Sequence, residues 1–591
     1  MTSPSERATP LCAPMDACVG FAATNLTPAL VGVAVFGCVT NILALTGSMF
    51  MLQIYDRVIP SHSVPTLVAF LLLALGLYTI FGILDVIRSR LMTRIAAKVD
   101  AILSKRVFAL ILESPLKGQA GADALKPSQE LDQIRTFLSG SGPLALFDLP
   151  WMPIYLVICF LFHPLIGGLT TAAMLILIAL AALTDVKTRG LTKAAAQAAS
   201  NRNILGEATH RGAESVTALG MTPVMLARWS KAHAEFISKQ RQAADIGGSL
   251  SGVSKAVRYS LQSGALGLGA YLTINNEISS GMIVASSIVV ARAVAPIEQV
   301  IAQWRSLVAA RQAWQSLHLK FTSLATRVIA TAPPLPGKSL AIEGIFVSPP
   351  GQTRATVQNV SFRANAGAVI GVLGASASGK SSLVRAIVGV WQPGRGHVRL
   401  DGASLDQWSE EELGRFIGYV PQSVDLFEGT IADNISRLDP VRDNPAVIAA
   451  AEAAGVHGMI VRLPGGYDFH VGPGGVNLSA GQRQRIALAR ALYKDPFLVV
   501  MDEPNSNLDT EGDQALAAAI AGIRQRGGIT IIVAHRRSVL SVLDHVLFME
   551  DGFAKAFGPR DVVLKSLEQR NARAVRAPQT AALAVVAGDA V

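Results

Sequence analysis

The chain is poor in charge. Only 16% of its 591 residues are Asp, Glu, Lys or Arg, while half are hydrophobic. A soluble protein carries about a quarter charged residues, so part of this chain is expected to lie in lipid. Cysteine is scarce as well. Cys12, Cys18, Cys38 and Cys159 show no paired metal spacing, and Cys38 and Cys159 fall inside apolar runs where Cys acts as a small hydrophobe. Neither a disulfide framework nor a zinc site is expected. The N-terminal stretch lacks a basic n-region and a cleavage signal, so no removable signal peptide is expected. The net charge is +10, from 52 basic and 42 acidic residues. No groove-reading motif accompanies it, so no nucleic acid is expected as a partner.

The basic residues are placed unevenly. Arg88, Arg90, Arg94, Lys98, Lys105 and Arg106 follow one apolar run, and Lys187, Arg189 and Lys193 follow another. This is the positive-inside pattern of cytoplasmic membrane flanks. Crossing lipid takes about 20 apolar residues, and six stretches qualify: about 30–53, 65–87, 143–162, 165–184, 247–273 and 279–300. The connections 88–142 and 185–246 are long, polar and basic, and are expected on the cytoplasmic side with both termini. Lys255, Arg258 and Arg292 interrupt the last two stretches. Two readings stay open: helices lining a pathway, or charges at a membrane edge displaced from these bounds.

Ala332-Pro333-Pro334-Leu335-Pro336 signals a linker. Beyond it, 368–373, 497–501 and 529–533 are continuous apolar runs that read as buried parallel strands. The expected architecture is therefore multidomain, an all-α six-helix transmembrane domain followed by an α/β P-loop domain. Its parts are a cytoplasmic segment 1–28, the membrane domain 29–310, a linker 311–338, a nucleotide-binding domain 339–565 and a flexible tail 566–591.

Gly374-Ala375-Ser376-Ala377-Ser378-Gly379-Lys380-Ser381, with Ser382 just beyond, fits G-x-x-x-x-G-K-[ST] between a strand and a helix. Its backbone N–H groups and the following helix N-terminus suit phosphate. Lys380 is expected at the terminal phosphates of ATP, and Ser381 on Mg²⁺. Asp502 and Glu503 end the strand 497–501. Asp502 fits the Mg²⁺-side carboxylate, and Glu503 the base that orients the attacking water.

Leu478-Ser479-Ala480-Gly481-Gln482 resembles the ABC-transporter signature. The resemblance implies that Ser479, Gly481 and Gln482 close over a nucleotide held by a second chain, in a head-to-tail homodimer. It also implies that Gln422 is the Q-loop residue sensing γ-phosphate and Mg²⁺, that His535 is the switch histidine, and that Asp509 belongs to the loop crossing the dimer. Three positions depart from the pattern. Ala377 stands where many members have Gly, at a cost of about 1 kcal/mol if φ is positive there. Ser348 stands in place of the adenine-stacking aromatic, with Phe346 as a substitute. Pro473 replaces a Glu of drug- and lipid-exporting relatives.

Residues 51–67 (MLQIYDRVIPSHSVPTL), 147–155 (FDLPWMPIY) and 503–509 (EPNSNLD) resemble type I secretion ATPases, especially the protease- and lipase-secreting branch. Drug and lipid exporters more usually read Glu-Ala-Thr-Ser-Ala-Leu-Asp in the last segment. The resemblance implies ATP-driven export, across the bacterial inner membrane, of proteins with uncleaved C-terminal signals. Its implied partners are a periplasmic membrane-fusion adaptor and an outer-membrane channel protein. Too few residues precede the first helix for a peptidase domain, so leader cleavage is not expected. Export of lipids, drugs or small peptides is the alternative. A non-transporting ABC scaffold is a third reading, opposed by the presence of Lys380, Asp502, Glu503 and His535. Tyr55-Asp56-Arg57 reads either as an interfacial Tyr with a charged loop or as an adaptor contact. Residues 213–221 read either as a coupling helix or as an ordinary helical turn.

Overall fold

A computed structural model describes residues 15–118, 125–322, 333–534 and 537–576. The chain divides into two compact units, with the boundary between the helix ending at Thr322 and the strand beginning at Ser339.

The first unit is helical: α1 Met15–Leu43, α2 Thr46–Gln53, α3 Ile59–Ser61, α4 Val64–Leu116, α5 Lys126–Ser139, α6 Gly142–Asp148, α7 Met152–Phe162, α8 Pro164–Arg211, α9 Ala213–Ala218, α10 Thr222–Ile274, α11 Ser280–Ala302 and α12 Trp304–Thr322. Among the described residues, five segments are long and apolar enough to cross a membrane: Leu26–Ser61, Val64–Leu116, Gly142–Phe162, Pro164–Arg211 and Ser280–Ala302. The stretch 247–273 does not reach that apolarity. It lies inside α10, where Lys255, Arg258 and a run of Gly and Ser dilute the signal.

Hydropathy marked only the lipid-crossing part of several helices. α4 has 53 residues, about 80 Å at 1.5 Å per residue, against about 30 Å of hydrocarbon. The basic stretches after the second and fourth apolar runs thus begin as continuations of the same helices. α1 starts at Met15, inside the expected N-terminal segment. α12 occupies the first part of the expected linker and packs Leu317 and Phe321 against Leu131 and Ile134 of α5.

Leu72 on α4 is 64% exposed, and Leu71, Leu73 and Leu75 also face outward, as a lipid-facing helix requires. A polar network lies among these helices. Arg88 on α4, 7% exposed, donates to both oxygens of Asp148 at 2.7 and 3.2 Å. Asn41 on α1 donates to the same carboxylate at 2.9 Å, and the Tyr155 hydroxyl donates to the Asn41 carbonyl at 2.8 Å. Of the interrupting charges in the last two stretches, Arg258 pairs with Glu298 at 2.8 Å across α10 and α11. Arg292 sits well inside α11 and is exposed, so a displaced boundary does not account for it. Asp56 accepts from the Gly281 N–H at 2.8 Å and the Ser279 hydroxyl at 2.6 Å, holding the start of α11.

The second unit contains β1 Ser339–Val347, β2 Val357–Asn365, β3 Val369–Gly374, α13 Lys380–Ile387, β4 Arg395–Leu400, β5 Ala403–Ser404, α14 Glu410–Phe416, β6 Ile417–Val420, α15 Ile431–Ile435, α16 Asn444–Ala453, α17 His457–Val461, α18 Ala480–Leu492, β7 Leu498–Asp502, α19 Thr510–Gln525, β8 Ile529–Val533, α20 Arg537–Leu540, β9 His545–Glu550, β10 Phe553–Pro559 and α21 Arg560–Arg576. The three apolar runs expected as strands are β3, β7 and β8. They lie side by side in a six-stranded sheet of order β10-β9-β3-β8-β7-β6, parallel except for β10. One face packs on α16, α18 and α19; the other packs on α13 and a four-stranded antiparallel sheet of order β2-β1-β4-β5. Covered on both faces, β7 and β8 are buried throughout, which is why they read as unbroken apolar runs. α21 runs to Arg576, past the point where a flexible tail was expected. The register pairs Val372 and Asp502 with Val533, so the C-terminal ends of β3, β7 and β8 finish level, where open α/β sheets bind ligands.

Replacing Arg88 by Ala leaves the Asp148 charge with the Asn41 amide but no cation and should lower stability by about 3–5 kcal/mol. The thermal midpoint of the purified protein in detergent reads this, and Arg88→Met with Asp148→Leu should lose less than Arg88→Ala alone.

Candidate nucleotide site

The loop 374–379 joins β3 to α13, and its backbone explains its glycines. A Cβ on Gly374 would lie 2.2 Å from the Met549 carbonyl oxygen, and one on Gly379 (φ 96°) 2.4 Å from that of Thr356. Ala377 has φ 64°, so the Gly-to-Ala departure does occupy the left-handed region, at a cost of about 1 kcal/mol. Ala375, Ser376 and Ala377 form the exposed crown, Ser381 and Ser382 are half-buried, and Ser378 is buried. Lys380 is 6% exposed. Its ammonium donates to the carbonyls of Gly374 at 3.0 Å and Ala375 at 2.7 Å. Burial holds its pKa below the usual lysine range, partly offset by the charges of Glu503 and Asp502.

Asp502, at the end of β7, is fully buried, and neither carboxylate oxygen has a hydrogen-bond partner. Burial raises its pKa and the Glu503 charge adds to the rise. The Ser381 hydroxyl and the Arg385 and Lys380 charges oppose it. An orphaned buried carboxylate is costly, and an arriving cation relieves it. The Ser381 hydroxyl neighbours Asp502 and the Gln422 amide neighbours Glu503; both carry oxygens of the hard kind that Mg²⁺ takes alongside phosphate and water. No group of three or more His, Cys, Asp or Glu able to hold a metal occurs among the described residues. The residues present therefore fit Mg²⁺.

Glu503 follows with φ 52°, turning the chain away from the strand at once. Its N–H donates to the Val533 carbonyl at 3.2 Å. Gln422, beyond the end of β6, donates from Nε2 to Glu503 Oε2 at 3.2 Å. Lys380, Asp502, Glu503 and Gln422 thus gather at one edge of the sheet. His535 lies outside the described residues.

Ser479 caps α18. Its hydroxyl accepts from the Gln482 N–H at 3.3 Å, and Gln482 Oε1 accepts from the Ser479 N–H at 2.8 Å. No hydrogen bond among the described residues links this turn to 374–382. Asp509 caps α19 by accepting from the Gly512 N–H at 2.9 Å and pairs with Arg485. These bonds, Gly512's first, hold its pKa below the usual carboxylate range. The loop containing Pro473 is tied to α18, since Arg483 donates to the carbonyls of Gly475 at 3.3 Å and Leu478 at 3.1 Å. Phe346 is half-buried, on the strand whose Ile345 and Val347 enter the core.

Sequence reasoning missed Gln484. It is 2% exposed, donates to the carbonyls of Glu503 at 3.3 Å and Pro504 at 2.5 Å, and accepts from Asn507 at 3.1 Å. The available signal was periodicity: it shares a helix face with the buried Ala487, Leu488 and Ala491, where an amide requires partners.

The ABC transporter family matches residues 357–506, and the ABC transporter transmembrane region matches residues 30–293. The type I secretion system ATP-binding protein PrsD of Rhizobium meliloti (strain 1021) is 50% identical over 550 residues, covering 92% of this chain and 94% of that protein. The alpha-hemolysin translocation ATP-binding protein HlyB of Proteus vulgaris is 29% identical over 532 residues, covering 87% of this chain and 73% of its own. A solved bacterial Atm1-family ABC exporter with ATP bound shares the fold, with a TM-score of 0.80 at 21% identity over 94% of this chain and 99% of that one. The chain belongs to the ABC exporters of type I secretion systems. It is a membrane exporter for protein secretion with an ABC ATPase domain.

Two measurements check this geometry. Asp502→Asn removes a charge that the fold disfavours, so it should stabilise the nucleotide-free protein by about 1–3 kcal/mol and abolish Mg²⁺-dependent stabilisation by ATP. The raised folded-state pKa means that the folded form binds the extra proton, so wild-type stability falls as pH rises from the unfolded value through the folded one. The penalty is complete above that window, and denaturation against pH should lose this component in the variant. Ala377→Gly should raise stability by up to about 1 kcal/mol, read by denaturant unfolding.

Proposed function

We propose that a homodimer of this chain binds two Mg²⁺·ATP and uses their hydrolysis to move proteins with uncleaved C-terminal signals across the bacterial inner membrane. The observation that carries the ATP site is the orphaned Asp502 carboxylate beside Lys380, with the Gln422–Glu503 pair at the same sheet edge.

The backbone N–H groups of 375–381 turn around the phosphates of ATP, aided by the N-terminus of α13. Lys380 exchanges the Gly374 and Ala375 carbonyls for terminal phosphate oxygens. Ser381, Asp502 and Gln422 would hold Mg²⁺, which neutralises charge developing on the phosphates. Glu503, oriented by Gln422, aligns the attacking water and draws its proton. Its left-handed backbone is the strain expected where a side chain must be aimed. The γ-phosphate contact is assigned to His535 on the family resemblance alone. Ser479, Gly481 and Gln482 of the second copy cover the nucleotide, and Asp509 lies at the crossing loop. Phe346 offers an apolar face for adenine.

The hairpin of α8 and α10 ends in the short helix α9, followed by Leu219, Met221, Val224 and Leu226. Leu219 is 73% exposed and Leu226 61%. So apolar a tip supports the coupling-helix reading of 213–221 and fits a partner copy. A periplasmic membrane-fusion adaptor and an outer-membrane channel complete the conduit. With Asp56 committed to α11, Tyr55 and Arg57 are the exposed residues left for the adaptor.

Glu503→Gln should cut ATP hydrolysis by about 10²–10⁴-fold while nucleotide binding persists, and should remove at least one protein from the culture supernatant. Normal secretion by this variant would overturn the reading. Hydrolysis stimulated by lipids but not by C-terminal signal peptides would favour the lipid-exporter alternative.

A further inference from the structure

Arg88 and Arg258 face other helices and are paired, with Asp148 at 2.7 Å and Glu298 at 2.8 Å. Arg90 and Arg94 on α4, and Arg189 and Lys193 on α8, are exposed instead. None of the four has an ion pair or hydrogen bond among the described residues. Their spacing puts them below the lipid-facing stripes. Arg90 follows the exposed Leu72 by 18 residues, about five turns at 3.6 residues each, so both lie on one line. Ile83, Val86 and Ile87 between them are exposed too, and Arg94 comes one turn after Arg90. α8 repeats the arrangement. Leu175 and Val186 are exposed, Lys193 follows Leu175 by 18 residues, and Arg189 stands one turn before it. The nearby acids are engaged elsewhere: Asp85 lies 3.5 Å from Arg88, and Asp185 accepts from Trp304 at 3.2 Å.

The apolar runs end near residues 87 and 184. Arg90 and Arg189 therefore lie about 5 and 8 Å beyond them, within a headgroup layer about 5–8 Å deep on each side. Arg94 and Lys193 lie one turn further out. Helical side chains tilt toward their helix N-terminus, and on α4 and α8 that direction points back at the lipid. Long basic side chains then reach the level of the phosphates.

We propose that Arg90 with Arg94, and Arg189 with Lys193, are two binding sites for anionic phospholipid of the cytoplasmic leaflet. Each pair seats one phosphodiester headgroup, and the acyl chains lie along the apolar stripe of the same helix. Guanidinium forks match phosphate oxygens, and the exposed Leu, Ile and Val side chains cover the hydrocarbon. A free phosphate gains only the first of these contacts, so the surface favours a lipid. The inference stands apart from the ATP site and does not depend on the passenger.

The test offers phosphatidylglycerol and phosphatidylcholine together to the purified full-length protein in detergent and counts bound lipids by native mass spectrometry. Wild type should retain phosphatidylglycerol in preference. Arg90→Gln with Arg94→Gln should remove one tightly held phosphatidylglycerol per chain, and so should Arg189→Gln with Lys193→Gln. All four changes together should lower the preference at least about fivefold. Arg90→Lys with Arg94→Lys keeps the charges and should keep the lipid, which separates headgroup binding from damage to the fold. Arg241 is the contrast. It lies on α10, which runs the opposite way and tilts its side chains away from lipid, and it pairs with Asp245 at 4.0 Å. Arg241→Gln should leave the preference as in wild type; an equal loss there assigns the effect to net charge and overturns the proposal. So does a wild type without preference, or a fourfold variant that keeps it. Excess inorganic phosphate should not displace the lipid. Displacement marks a free-anion site and overturns the proposal as well.

Discussion

The Asp502 carboxylate is buried at the end of a strand, its cost only partly offset by the nearby Ser381 hydroxyl, and the arrangement of the ATPase unit follows from keeping it there. β7 can hold a charge at its end only because β6 and β8 flank it and apolar layers cover both faces. The level ends of β3, β7 and β8 bring the phosphate loop, Asp502 and Glu503 to one edge. Unrelieved, a buried carboxylate works against folding. The same isolation leaves both oxygens free for a cation, so the feature that weakens the empty site prepares it for a loaded one.

Around that point the chain turns sharply, and each turn has its own physical reason. Gly374 and Gly379 are required by carbonyls that a side chain would strike. Ala377 and Glu503 take left-handed backbone without glycine, a strain that the surrounding hydrogen bonds sustain. Gln484 anchors the loop beyond Glu503 to α18, so the Pro504-Asn505-Ser506-Asn507 segment is not mere connection.

The membrane unit solves a different problem. Lipid supplies no hydrogen bonds, so continuous helices are its natural elements. Some of its charges are paired, as Arg88 with Asp148 and Arg258 with Glu298, while Arg292 stands exposed within α11. The pairing of Asp148 also accounts for one residue of the 147–155 segment that looked distinctive in the sequence.

The sequence by itself determined what local chemistry determines. The phosphate loop was legible because its glycines and Lys380 act through backbone geometry within a few residues. β3, β7 and β8 were legible because two-sided burial leaves unbroken apolar runs, and the five apolar segments among the described residues because length and hydropathy suffice. Their full lengths were not, since hydropathy records lipid rather than helix, and the dilute 247–273 stretch hid inside α10 for the same reason. Only the tertiary structure decided which side chains meet: Arg88 with Asp148, Gln422 with Glu503, and Gln484 with a loop about 20 residues away. Such pairings depend on the level ends of strands and the crossing of helices. No local pattern of residues carries that information, because it arises only when distant segments pack.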